Sequence, residues 1–405
     1  MSSSEGRTRR EILADAAKAA AAASVAGLAG CFPSVGGRWP SACKSSDAGT
    51  TTTAGDSRAI TPAVVEVHRD ESVVTGATAV IQPDVVATML DTGLTALASQ
   101  VKTFNAGASA QTGGSAAADT LQTSQDGGTD NPWTVLLPNY KPGQRIGLKV
   151  NCLGNTPTSP AVVRAIIASL RDKLGVDPTT IVVWDRTYKE LAGAGKYTAD
   201  DLAGAQLAGT LVRAPGDGET LDDAALTAGN GYGDPVCVAP IGVPPTGVTA
   251  TFPRLSRILT DKTDLTINCP VFKVHNITGI TGCMKNIYGM IDNPAQYHTP
   301  NFKTDLPKLY ALGAIRNSIS LLICDALLGV VTGNEPAAIH DSAPGRILLA
   351  QDPVALDSYI LALISQLRAS AGKSAVDSDD PTKTVWLDNA AELKLGTRSY
   401  SLVQV

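Results

Sequence analysis

A chain of 405 residues with a formal charge of −5 can hold one large or two medium domains, and it lacks the basic surface that nucleic acid requires. An apolar fraction of 43% supplies a substantial core, but aromatics are only 4%, so that core must be built from Ala, Val, Leu and Ile. Past the N-terminus there is no run of about 18 apolar residues, and no internal membrane span is predicted.

The chain opens on what reads as an address. Arg9-Arg10 precedes Glu11-Ile12-Leu13 and a weakly apolar stretch from Ala19 to Gly30, the order of a twin-arginine export signal. The stretch ends Leu28-Ala29-Gly30-Cys31, which resembles a bacterial lipobox with Cys31 as the lipidated residue. Asp15 and Lys18 set charge close to the apolar region, and the competing interpretation is an Ala-rich cytosolic helix. Residues 1–31 are thus expected to be a signal, and the product an exported periplasmic or cell-envelope lipoprotein that touches the membrane only through its lipid. The twin-arginine route carries proteins that fold first, often around a cofactor, so a bound divalent metal is one expectation. Residues 32–60, rich in Ser, Thr and Gly, read as a tether.

An α/β domain is predicted over 61–405, with a flexible insertion at about 105–132. Val64 to Val67 reads as a strand, and Pro83 to Val101 as a helix with apolar residues at Val86, Met89, Leu90, Leu94 and Leu97. Arg145 to Asn151 is a strand, Pro160 to Leu174 an amphipathic helix and Ile181 to Asp185 a short apolar strand. That order implies a parallel pair with a right-handed crossover. Gly216 to Pro245 gives no clear pattern. Beyond it come strand Leu265–Cys269, helix Asp305–Ile315, strands Ser320–Asp325 and Arg346–Ala350, helix Val354–Leu367 capped by Asp352, and an edge strand within Ser399–Val405. The alternation predicts an α/β fold, a largely parallel sheet with helices on both faces.

The densest chemistry lies between Asn268 and Gly289. An apolar strand runs into Lys273-Val-His275, then into a turn containing Thr278, Gly279, Thr281 and Gly282, then into Lys285-Asn286. The turn is expected to leave backbone N–H groups facing a ligand, with the lysines adding positive charge. Lys273 and His275 share one face of an extended chain. Two cations this close to each other repel unless an anion or carboxylate lies between them, which points to a small anionic ligand; lysines in solvent are the alternative. Lys149-Val-Asn151, Trp184-Asp185-Arg186 and Cys324-Asp325 also end strands in polar residues, where open α/β sheets bind ligands, although each could simply cap a neighbouring helix.

Of four histidines, His275 and His298 lie in or just after this segment and could serve as an acid/base pair, or with Asp325 as metal ligands; His68 and His340 look less committed. Cys152, Cys237, Cys269, Cys283 and Cys324 show no Cys-x-x-Cys spacing, so no local iron–sulfur or zinc motif is present. They read as small buried side chains, with a discontinuous cluster as the alternative.

Asn268-Cys-Pro-Val-Phe-Lys-Val-His275, Thr278-Gly-Ile-Thr-Gly-Cys-Met-Lys-Asn286 and Ile323-Cys-Asp-Ala-Leu327, with Lys149-Val-Asn151 upstream and Asp352-Pro-Val-Ala-Leu-Asp357 downstream, resemble the domain of unknown function 362 family. The resemblance runs from about residue 64 to 370. Some members are joined to iron–sulfur domains; this chain lacks the ferredoxin-type cysteine run. A second, local similarity is to the nickel-pincer lactate racemases, at His275, Gly279, Gly282 and Lys285. It implies proton or hydride movement beside a carboxylate.

Two functions follow as expectations. One is an enzyme acting on a small carboxylate or phosphate. In it Lys273 and Lys285 hold the anion, His275 or His298 moves a proton, Asp325 and Asp357 orient these groups, and Lys149, Asn151, Thr278, Gly279, Thr281, Gly282 and Asn286 line the site. The other is a lipoprotein that captures a metal or metallocofactor without turnover. A structural surface protein with a vestigial cleft is the third possibility.

Overall fold

Side chains alternate between the two faces of a strand, and in this chain both faces are apolar. The reason is visible in the computed structural model, which describes residues 61–76, 78–111, 131–192, 197–211, 231–236, 253–298, 301–333, 339–378 and 380–405. All of them belong to one unit, 50–405. The expected signal, Cys31 and the tether lie outside the described residues.

The strands are β1 (Ala63–His68), β2 (Val73–Val74), β3 (Val80–Ile81), β4 (Ile146–Lys149), β5 (Ile181–Thr187), β6 (Gln206–Leu211), β7 (Tyr232–Pro235), β8 (Arg254–Ser256), β9 (Leu265–Asn268), β10 (Val271–His275), β11 (Gly279–Thr281), β12 (Ile319–Val330), β13 (Arg346–Ala350) and β14 (Ser401–Gln404). Ten form one sheet in the order β14-β1-β13-β12-β9-β4-β5-β6, with β10 beside β12 and β11 beside β10. The run β12-β9-β4-β5-β6 is parallel throughout, and β13 is antiparallel to both its neighbours. The predicted α/β class and largely parallel sheet are therefore correct.

Two apolar layers sandwich this sheet. Val65, Val67, Val183, Ile323 and Leu349 pack on one side, while Val64, Trp184, Leu322, Cys324 and Ala350 pack on the other. The first layer is closed by helices Pro83–Gln111 and Pro160–Leu174, the second by Phe302–Tyr310, Pro353–Ser370 and Val385–Glu392. Val86, Met89, Leu90, Leu94 and Leu97 recur at helical spacing and are all buried. Each contributes about 1.5–3 kcal/mol by leaving water.

Local chemistry sets the helix ends. Ser159 caps Pro160–Leu174 by accepting from the Ala161 N–H, proline takes the first turn, and Gly175 closes it in the left-handed region. Asp352 caps Pro353–Ser370 through the Val354 and Ala355 N–H groups, as predicted.

Three expectations change. The first helix runs on to Gln111, so 105–111 belong to it, and residues 112–130 of the expected insertion lie outside the described residues. The single helix expected over Asp305–Ile315 is two, Phe302–Tyr310 and Gly313–Arg316, because Leu312 is non-helical. Finally, the strand expected over Leu265–Cys269 ends one residue early, at Asn268, and the extended Lys273-Val-His275 run belongs to a separate strand. Cys269-Pro270 separates the two, proline having no N–H for the ladder, and β10 then pairs further along β12 and turns back as β11.

Candidate functional site

From β4 the chain moves outward through β5 to β6, and β9 then returns to the opposite side of β4. The crevice beyond the carboxyl ends of β4 and β9 is thus a topological switch point, where ligands bind in open α/β sheets. A cavity of about 70 Å³ lies at this rim, and its walls include Asn151, Asp185, Arg186, Glu190, Thr281, Lys285, Asn286, Tyr288 and His298. Seven residues singled out from sequence therefore meet there: Asn151, Asp185, Arg186, Thr281, Lys285, Asn286 and His298.

Lys149 lies just behind the cavity, fully buried. Its ammonium donates to Asp185 Oδ1 at 2.7 Å, to the Val150 carbonyl at 2.7 Å and to Asn286 Oδ1 at 3.4 Å. Asp185 also accepts from the backbone N–H groups of Arg186 and Cys152. Lys149 is therefore a partner for Asp185 rather than a direct ligand contact. The pair is roofed by Gly289, where a Cβ would come within 2.6 Å of Lys149 Nζ.

An amide chain locks the neighbouring side chains. Asn268 donates to the Cys283 carbonyl, and Asn286 donates to Asn268 Oδ1 and the Lys149 carbonyl. Both Asn286 donors are thereby used. Its Oδ1 is left to accept from Lys149 and from Asn151 Nδ2 at 3.3 Å. That fixes which end of the Asn151 amide faces Asn286.

The histidine rings lie side by side, centroids 5.5 Å apart. His275 Nδ1 accepts from the Ile277 and Thr278 N–H groups at 3.2 and 3.3 Å, so the proton of the neutral ring sits on Nε2. His298 is the reverse. Its Nδ1 faces the Pro294 carbonyl at 2.9 Å, which can only accept, and the lone pair is on Nε2. Burial, with Lys285 next in weight, lowers both basicities: His275 to about 2 and His298 to about 4. Lys285 is itself buried and sits 5.5 Å over the Tyr288 ring.

Other expected site residues serve the scaffold. Lys273 is buried and donates to the Leu153 and Thr156 carbonyls at 2.9 and 3.4 Å, pinning the loop after β4. No external anion is needed to explain it. The Thr278 hydroxyl donates to the Ile280 carbonyl, and a Cβ on Gly279 (φ 77°) would meet Thr384 and Val376, not the cavity. Gly282 gives close approach to Asp357, whose carboxylate accepts the Cys283 and Met284 N–H groups at 2.7 and 3.0 Å. The N–H groups expected to face a ligand thus face His275 and Asp357. Two of the four positions behind the racemase likeness, Gly279 and Gly282, are occupied with packing.

The expected metal trio is not assembled. Asp325 accepts from the Ser159 and Leu327 N–H groups at 2.6 and 3.0 Å, anchoring the helix Pro160–Leu174 instead. No group of three or more His, Cys, Asp or Glu side chains gathers as a metal-holding set among the described residues. His275 has given its Nδ1 lone pair to the backbone and carries a proton on Nε2. Cys152, Cys269, Cys283 and Cys324 are free and buried, and burial holds Cys269, Cys283 and Cys324 in the thiol form. The smaller interpretation of the cysteines holds for these four; Cys237 lies outside the described residues.

Arg186 was expected at the rim as part of the strand end Trp184-Asp185-Arg186, and it lines the wall. Glu190 is a wall residue that sequence reasoning missed, although it follows one helical turn after Arg186. Among the described residues the Arg186 guanidinium makes no hydrogen bond or ion pair.

No curated protein and no solved structure matches the chain. A family model does, over residues 146–362, more than half of the sequence and the part that contains β4, β5, the β10–β11 turn and every wall residue named above. The chain belongs to the family described as Domain of unknown function (DUF362).

Proposed function

We propose that the rim cavity binds a small anion, a carboxylate or phosphate, and that His298 exchanges a proton with it, which makes the protein an enzyme acting by acid–base chemistry. What carries this is the placing of two cationic side chains, Lys285 and Arg186, in one small cavity with an imidazole whose Nε2 lone pair is unprotonated. A bound anion offsets the positive field that lowers His298, brings its basicity toward neutrality and so suits it to proton transfer. His275, whose Nδ1 is taken by the backbone and which does not line the cavity, supplies no base. Asn286 and Lys149 hold the wall in place. The Arg9-Arg10 to Cys31 segment supports export as a lipid-anchored protein.

Calorimetric titration of the whole chain with acetate and with inorganic phosphate tests this. Saturable binding of at least one is expected, weakened about tenfold or more in Lys285→Gln, since losing a charge-assisted contact costs about 1.5–3 kcal/mol. Equal binding by wild type and Lys285→Gln would remove the basis of the proposal.

A further inference from the structure

Buried polar atoms nearly always find a hydrogen-bond partner, and one that does not calls for an explanation. Asn151 Oδ1 is such an atom: it is buried and has no partner. The residue lines the rim cavity. The orientation of its amide is not arbitrary, because both Asn286 donors are spent on Asn268 and Lys149, so only Asn151 Nδ2 can face Asn286 Oδ1. Turning the amide over would set two carbonyl oxygens against each other. The acceptor is therefore fixed, dry and unused. Leaving it so costs the desolvation of a buried acceptor, a cost that a ligand carrying a hydrogen-bond donor removes.

The charges of the same cavity point the same way. Arg186 and Lys285 supply two cations, while Asp185 and Glu190 add carboxylates to the wall. Asp185 is already committed to Lys149 and two backbone N–H groups. Glu190 accepts the Thr187 hydroxyl through Oε2. A simple anion would match the positive charge of Arg186 and Lys285 and leave Asn151 Oδ1 as it is. An anion with a donor close to its charge satisfies both, and a cavity of about 70 Å³ keeps the two groups near each other.

Resting on the anion site proposed above, we infer that the ligand is a small carboxylate bearing a hydroxyl or ammonium on the adjacent carbon, the carboxylate held by Arg186 and Lys285 and the donor given to Asn151 Oδ1. Acetate, glycolate and glycine share the carboxylate and differ only at that carbon, so titrating each into wild type, Asn151→Ala and Lys285→Gln isolates the donor. Glycolate or glycine is expected to bind wild type about tenfold tighter than acetate, the equivalent of one hydrogen bond. Which of the two gains tells hydroxyl from ammonium. In Asn151→Ala that advantage is expected to fall below about threefold while acetate affinity holds, and unchanged acetate binding also shows that the variant is folded. Should Asn151→Ala lose acetate as well, the neutral Asn151→Ser, whose hydroxyl can donate to Asn286 Oδ1 and still accept from a ligand, replaces it and must retain the advantage. Acetate binding wild type as tightly as both others, or an advantage that survives Asn151→Ala, overturns the inference and leaves the anion site standing. Failure of all three to bind, or binding indifferent to Lys285→Gln, overturns the anion site itself and this inference with it.

Discussion

Replacing Lys149 with Met is expected to destabilise the domain by about 3–5 kcal/mol, the cost of leaving a buried charge without its partner. Lys149 is fully buried and Asp185 nearly so, with 2.7 Å between their charged atoms. Methionine matches the length of the stem and removes only the ammonium. Asp185 would keep its two backbone donors and lose its counter-charge. Adding Asp185→Asn should recover much of the loss, because the pair's desolvation cost disappears with the pair. Chemical denaturation of the two variants measures both effects. A Lys149→Met protein as stable as wild type would mean that the ion pair does not hold the rim together.

Gly282→Ala is expected to cost a comparable amount, about 2–5 kcal/mol, by a different route. Its Cβ would lie 2.1 Å from Asp357 Oδ1, inside van der Waals contact with an atom that cannot retreat. Asp357 is fully buried and accepts from Cys283 and Met284. Displacing it orphans two buried N–H groups, each costing about 1–3 kcal/mol. Burial raises the Asp357 carboxyl to about 6, against about 3.8 in the unfolded chain. Its ionisation therefore penalises the folded state in full above about pH 6, and the penalty is relieved as pH falls toward about 4. Denaturation of Gly282→Ala and wild type measured side by side checks the magnitude. Equal stabilities would show that the passage into Lys285 is loosely held.

Much of this was legible in the sequence, for identifiable reasons. β4, β5 and β9 are short apolar runs ending in polar residues, and the helix Pro160–Leu174 carries its Ser cap, its proline and its closing glycine in order. Such local signals survive folding because tertiary packing reinforces them. That the rim of the sheet would collect Asn151, Asp185 and Arg186 followed from a topological rule; Lys285, Asn286 and His298 were legible from the density of polar residues in and just after the segment from Asn268 to Gly289.

What the sequence hid is pairing. Lys273 and Lys285 look alike as lysines beside a Gly-rich turn. One is tied to the loop carbonyls of Leu153 and Thr156, and the other lines the cavity. Their difference depends on residues more than a hundred positions away. The same holds for Asp325, whose distant partner Ser159 turns an apparent metal ligand into a helix anchor. Cys269-Pro270 was a readable break, yet its consequence, a separate hairpin alongside β12, required knowing what lay beside it.

The central claim is that an anion in the rim cavity sits close enough to His298 to change its protonation. With four histidines in the chain, the ring signals can be assigned by single substitution and followed by NMR as acetate is added. Without ligand, His298 is expected to protonate at about 4, held down by burial and the nearby Lys285. A bound carboxylate neutralises that field, so the value should rise by at least about one unit, with proton uptake on binding. In Lys285→Gln the rise should need about tenfold more acetate. A His298 signal that stays fixed while acetate saturates the folded protein would contradict the account.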